Sequence, residues 1–138
     1  MVAIPWNEID DVFLDMDGTL LDLHFDNHFW LEFVPDRYAA DNGLTPDEGR
    51  RKLLDLYRSR EGTLDWYCVD HWSRELGLDI ALLKEEVGYL ISVHPHVVVF
   101  LQTVRSLDRR LVLVTNAHPV SYTHLRAHET YITISVGV

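Results

Sequence analysis

The chain has 138 residues, the size of one ordinary domain, and 47% of them are apolar, enough to bury a core, which excludes an intrinsically disordered segment. A formal net charge of −10 argues against a non-specific nucleic-acid binder, because phosphate backbones reward basic surfaces. It leaves room for a small phosphorylated substrate whose charge is met locally by a metal, a lysine and backbone amides.

Residues 11–15 (Asp-Val-Phe-Leu-Asp) form a short apolar run closed by Gly18 and Thr19, the length of a buried parallel strand. Phe29, Leu31, Phe33 and Val34 then mark a helical segment that Pro35 is expected to end or kink. Thr45-Pro46-Asp47-Glu48 reads as a helix start, with Thr45 as N-cap, Pro46 in the first position and Glu48 completing a capping box. Leu53, Leu54, Leu56 and Tyr57 give that helix an apolar face. Further helices are expected over 66–76, stopped by Gly77, and over 78–90 and 95–107. The run 110–115 (Arg-Leu-Val-Leu-Val-Thr) is a second strand, closed by Asn116 and Pro119.

Two strands separated by some seventy helical residues are too far apart for an ordinary loop. The fold class is therefore α/β: residues 1–22 and 95–119 form part of a core with parallel strands, and 23–94 form a helical cap inserted between them. In open α/β sheets the chemistry sits at the carboxyl ends of the strands.

The stretch Asp15-Met16-Asp17-Gly18-Thr19-Leu20 carries the most chemical information. A carboxylate at a strand end can attack phosphorus and form an aspartyl phosphate. A second carboxyl two residues on can protonate the leaving oxygen and later deprotonate the attacking water. Gly18 permits the tight turn that keeps both groups on one side. Carboxylates this close repel each other, which a magnesium ion would offset while neutralising phosphate charge.

This stretch resembles motif I of the haloacid dehalogenase superfamily, and 111–116 resembles its motif II. The resemblance implies Asp15 as nucleophile, Asp17 as acid and base, and Thr115 with Asn116 holding the phosphoryl group. It also implies Mg2+ bound by the Asp15 carboxylate and the Asp17 backbone carbonyl. Dehalogenases of the superfamily usually lack the second aspartate, so Asp17 favours phosphate chemistry. A nearer resemblance, to the bacterial GMP/IMP nucleotidases, rests on Leu20-Leu21-Asp22-Leu23, Phe25-Asp26-Asn27, Phe29-Trp30, Val34-Pro35, Asp65-Trp66-Tyr67-Cys68, Trp72-Ser73, the run 76–80 and Thr115-Asn116-Ala117-His118-Pro119. It implies a small purine nucleotide as partner, neither nucleic acid nor membrane, with hydrolysis through an aspartyl phosphate. A sugar phosphatase or phosphomutase on the same core is the nearest enzymatic alternative, and a non-catalytic phosphate-binding remnant is the alternative of another class.

Trp30, Trp66, Tyr67, His71 and Trp72 are candidates for stacking a purine, set against the plainer reading that they pack the cap's own helices. His71 and His94 have no helical partner at metal-binding spacing and read as solvated or core histidines. Cys68, the single cysteine, excludes a disulfide framework and reads as a small buried hydrophobe. The acidic N-terminus has no basic n-region, and the longest apolar stretch, 97–101, is too short to span a bilayer, so a cytoplasmic location is expected.

Residues 120–138 break the pattern. Val120 to Thr130 has no amphipathic period and back-translates into a transposase-type sequencing adapter, so this tail is expected to be foreign to the gene. A natural strand over 131–138 is the alternative, given its alternation. On the adapter reading the native frame continues past Pro119 into a lysine (motif III) and a paired-acid strand (motif IV), neither of which is present here. Lys52 and Lys84 fall in the cap and do not replace that lysine. Without those groups the 138-residue product is expected to be inactive and poorly soluble. Sequencing the source gene across codon 119 checks this: the expected outcome is a frame that runs on into those two motifs, and a stop codon after Val138 contradicts it.

Overall fold

The computed structural model describes residues 4–116 and the backbone of 133–136. These fall into two compact units, one built from the residues up to Asp22 and from Val93 onward, the other from Leu23–Ser92.

The first unit is a parallel sheet in the order β1 (Asp11–Leu14), β2 (Arg110–Thr115) and β3 (Thr133–Val136). β1 and β2 run in register from Asp11 opposite Arg110 to Leu14 opposite Leu113. The first of these pairs is also a bidentate ion pair, with Arg110 donating to both Asp11 carboxylate oxygens at 2.6 and 2.8 Å. These hydrogen bonds hold the Asp11 carboxyl below its usual range and push the Arg110 guanidinium up.

A helix, α6 (Val97–Ser106), precedes β2 and packs against it, burying Val97, Leu101 and Val104. Leu111, Leu113 and Leu14 are buried as well, whereas Phe13 is 65% and Val114 44% exposed. Strand alternation puts Leu14, Leu111 and Leu113 on one face and Phe13 and Val114 on the other, where Val112 is nevertheless buried at 7%. β3 lies within the alternating 131–138 stretch, and its backbone pairs with β2 from Val112 opposite Thr133 to Thr115 opposite Val136. Alternation and an unpaired strand edge suffice for such pairing whatever the origin of the segment, and here the edge of β2 is taken by β3. The adapter-like residues 120–130 lie outside the described residues.

The second unit is helical. Its chain enters through α1 (His24–His28), a π-helical turn (Phe29–Phe33) and α2 (Val34–Asp41), which follow one another without a break. Pro35 was expected to stop or kink this helix. Instead it sits buried near the start of α2, directly after the π turn. Proline lacks an N–H and crowds the carbonyl four residues back, and the wider π turn accommodates both.

α3 (Pro46–Arg60) begins with the expected capping box. The Glu48 amide donates to Thr45 Oγ1 at 3.4 Å, and the Thr45 amide donates to Glu48 Oε2 at 2.9 Å. The Thr45 hydroxyl also donates to Glu48 Oε2 at 2.7 Å, and these two hydrogen bonds from the Thr45 amide and hydroxyl lower the Glu48 pKa. The stretch 66–76, read as one helix, is divided into a 3-10 turn (Leu64–Tyr67) and α4 (Val69–Leu76), ended by Gly77 at φ 66°. The break falls at Cys68, whose Sγ accepts the His71 amide at 3.4 Å and so caps α4. Cys68 is half-buried and acts as a cap, not only as an apolar filler. The stretch 78–90 likewise divides into α5 (Ile80–Glu86), capped by Asp79, and a 3-10 turn (Gly88–Leu90).

The core of this unit is formed by Phe25, Phe29, Val34, Leu53, Tyr57, Trp72, Leu76, Ile80, Leu83 and Val87. Lys84 lies on the same face of α5 as Ile80, Leu83 and Val87, and is only 6% exposed. Its ammonium stands 3.5 Å from Asp26 Oδ1 and between 5.1 and 5.5 Å from the ring centres of Phe25, Phe29 and Trp30. One carboxylate and three aromatic faces thus replace the water that a lysine head normally keeps.

Two stability predictions follow from this unit. A Cβ on Gly49 would lie 2.7 Å from Ala39 Cβ and 2.8 Å from the Pro35 carbonyl oxygen, because α2 and α3 touch there. Gly49→Ala is therefore expected to lower unfolding free energy by roughly 1–2 kcal/mol in urea titrations, opposite to the usual gain from alanine in a helix. Asp26→Ala leaves a buried ammonium without its carboxylate and is expected to cost about 3 kcal/mol, whereas the double change Asp26→Ala with Lys84→Met recovers most of that loss.

Candidate functional site

β1 ends at Leu14, so Asp15 emerges from the carboxyl end of the sheet into solvent. The next residue anchors the turn. Met16 is fully buried, and its carbonyl oxygen accepts the amides of Thr19, Leu20 and Leu21 at 3.2, 2.9 and 2.9 Å. Gly18 adopts φ 76°, a left-handed conformation that an L side chain rarely takes, and its amide donates to the Leu21 carbonyl at 2.8 Å. Leu20 and Leu21 then return to the interior at 2% and 3% exposure. Leu21 bridges to Val93, and the His94 amide donates to the Leu20 carbonyl at 2.9 Å. The result is a stiff loop with both ends fixed by apolar anchors and its two carboxylate residues, Asp15 and Asp17, on either side of a buried methionine.

The neighbouring strand ends at the same edge of the sheet. Because β1 and β2 are parallel and in register, Thr115 at the end of β2 comes level with the residues just past β1. Thr115 is 4% exposed, one of only two buried polar residues among those described, and Asn116 beyond it is exposed. The structure thus brings Asp15, Asp17, Thr115 and Asn116 to one end of one unit. Asp15 and Asp17 offer hard oxygen donors, and among the described residues there is no group of three or more acidic, histidine or cysteine side chains. That set suits magnesium, which commonly keeps several waters and binds through one or two protein carboxylates and the substrate phosphate.

Of the aromatic candidates, Trp72 belongs to the core of the helical unit and the partly buried Trp30 packs against it. Trp72 is 2% exposed and meets Tyr57 edge-on at 5.2 Å and Trp30 at 5.9 Å. Burial pushes the Tyr57 phenol well above its usual pKa. His71 packs edge-on against Trp72, with its Nδ1 3.8 Å from Asp65 Oδ1. Trp66 and Tyr67 stay at the surface, 37% and 56% exposed.

Similarity to known proteins follows the same outline. No protein-family model matches the chain. The structure superposes on the crystal structure of a HAD phosphatase from Thermococcus onnurineus with a TM-score of 0.78 and 21% sequence identity, covering 93% of this chain and 62% of that one. The fold is that of the haloacid dehalogenase superfamily.

In sequence, this haloacid dehalogenase-fold chain is 41% identical over 133 residues to the GMP/IMP nucleotidase YrfG of Escherichia coli K12, and equally to that of Shigella flexneri. These alignments take in 92% of the chain and 60% of each relative, so the chain spans about three fifths of their length. No helix among the described residues is long and apolar enough to cross a membrane.

Sequence reasoning left one charged feature of this fold unread, the buried Lys84–Asp26 pair. The signal was present, since Lys84 falls at the spacing of Ile80, Leu83 and Val87 and so on the core face of its helix.

Proposed function

We propose that the intact protein is a phosphatase that hydrolyses purine nucleoside 5′-monophosphates of the GMP and IMP type through an aspartyl phosphate. The observation that carries the reading is the stiff Asp15–Leu21 turn, which offers two carboxylate residues at the strand end level with Thr115. The 41% identity to GMP/IMP nucleotidases supports the substrate class.

In the first half-reaction an Asp15 carboxylate oxygen attacks phosphorus, the bond from phosphorus to the ribose 5′-oxygen breaks, and Asp17 gives that oxygen its proton. In the second, Asp17 takes a proton from water, the water oxygen attacks phosphorus, and the aspartyl ester bond breaks, releasing inorganic phosphate and restoring both carboxyls. On this reading the Thr115 hydroxyl and the Asn116 side chain donate to the phosphoryl oxygens as charge gathers there. The Asp15 carboxylate and the Asp17 carbonyl would hold Mg2+, which supplies charge neutralisation at the phosphate when bound.

Lys84 is no substitute for a phosphate-binding lysine, being engaged with Asp26 inside the helical unit. The reading therefore places that lysine and the remaining acidic groups in the part of the intact protein that this chain does not span, and assigns the protein to the soluble phase of the cell.

The test is a phosphatase assay on the intact protein with GMP, IMP, AMP and sugar phosphates. GMP and IMP are expected to be turned over in a magnesium-dependent way, lost on chelation and regained on adding magnesium. Asp15→Asn is expected to abolish turnover, by about 10³-fold or more. Asp17→Asn is expected to slow GMP hydrolysis by about 10²–10⁴-fold, and p-nitrophenyl phosphate much less, because that leaving group needs no proton. A preference for sugar phosphates would replace the nucleotide reading. Phosphate binding without turnover would replace the enzymatic one.

A further inference from the structure

We infer that the 3-10 turn Leu64–Tyr67 of the helical unit is the recognition surface for a 6-oxopurine base, with Tyr67 as the stacking ring and Asp65 as the acceptor of the base's N1–H. The inference rests on the nucleotidase reading and names which part of the chain reads the base.

The turn combines exposure with rigidity. Leu64 is 80% exposed, Tyr67 56% and Trp66 37%, three apolar side chains of one short turn at the surface. Yet the turn is pinned from beneath. Trp72 Nε1 donates to the Trp66 carbonyl at 3.0 Å, and the Trp66 ring stands edge-on to both Tyr57 and Trp72 at 6.4 Å. The Cys68 amide donates to the Asp65 carbonyl at 3.1 Å, and the Trp66 amide to the Thr63 carbonyl at 3.3 Å. An aromatic ring held out on such a support loses little further freedom on stacking a base, which favours binding.

The adjacent carboxylate supplies the selectivity. The Asp65 side chain is 57% exposed, and behind it His71 Nδ1 lies at 3.8 Å. His71 is itself fixed, with its amide on Cys68 Sγ and its ring against Trp72. An ionised carboxylate only accepts hydrogen bonds. Guanine and hypoxanthine carry a donor at N1, and guanine adds its N2 amino group, whereas adenine presents a lone pair at N1. The same carboxylate that holds the 6-oxopurines therefore meets adenine with an unfavourable edge. Trp72 is enclosed in the unit's core, and Trp30 is partly buried against it.

The experiment uses nucleosides, which lack the phosphate, so that base binding is read apart from turnover. The intact protein is titrated with guanosine, inosine and adenosine while its tryptophan fluorescence is followed. Guanosine and inosine are expected to bind about tenfold more tightly than adenosine. Tyr67→Ala is expected to weaken all three about tenfold, the scale of one stacking contact, and Tyr67→Phe to leave them unchanged. Asp65→Ala is expected to erase the preference over adenosine while stacking persists. Far-UV circular dichroism of each variant checks that the helices remain, as the exposure of both side chains leads one to expect. Equal affinity for the three nucleosides, no saturable response, or unchanged binding by Tyr67→Ala would overturn the inference. A patch that serves to dock another protein would give no saturable response. In the intact protein, Asp15-dependent hydrolysis of GMP with an unaltered KM in Tyr67→Ala would remove the turn's role and leave the nucleotidase reading standing.

Discussion

The parallel pairing of β1 with β2 is the constraint on which the rest of the molecule depends. It joins residues 99 positions apart, as the Asp11–Arg110 pair shows, and a parallel pair cannot be closed by a short turn. The chain between them must leave the sheet and return in the same direction. Here that crossover is large enough to contain a folded unit with its own core, from Phe25 to Val87, so the connection is not a floppy loop whose closure the sheet must overcome. The register also fixes where the strand ends fall. It sets the ends of two strands level, so that a turn built on the Met16 carbonyl and a buried threonine meet at one edge.

Much of this was legible in the residues because it depends on local rules. The apolar run before Asp15 and the β-branched run before Asn116 are strands for reasons of composition and length. Thr45 and Glu48 cap α3 because their side chains reach each other's amides over three residues. The residues proposed for the site are also readable from local order: Asp15, Asp17 and Gly18 fall within four positions, and Thr115 ends the second strand.

What escaped the sequence depends on contacts at a distance or on balances between weak preferences. Pro35 disfavours a helix locally, but a π turn beside it and burial among helices keep the segment helical. Cys68 has no strong reputation as a cap, yet its sulfur takes the His71 amide and divides what periodicity reads as a single helix. The aromatic residues are alike on paper. Only packing separates Trp72, at the centre of the core, from Tyr67 a few residues earlier at the surface. Lys84 shows the same limit: its spacing put it on the core face, but the carboxylate and the rings that receive it come from α1 and the π turn, more than fifty residues upstream.

The enclosure of Lys84 also makes the chain chemically simple in an unexpected way. Lysine occurs only at positions 52 and 84. With the second amine held inside the protein and the first on the exposed side of α3, reagents that acylate amines meet one accessible side chain in the helical unit. Within that unit, a dye or cross-linker carried by such chemistry would report from Lys52. The appearance of an adduct on Lys84 would register the moment at which this core opens.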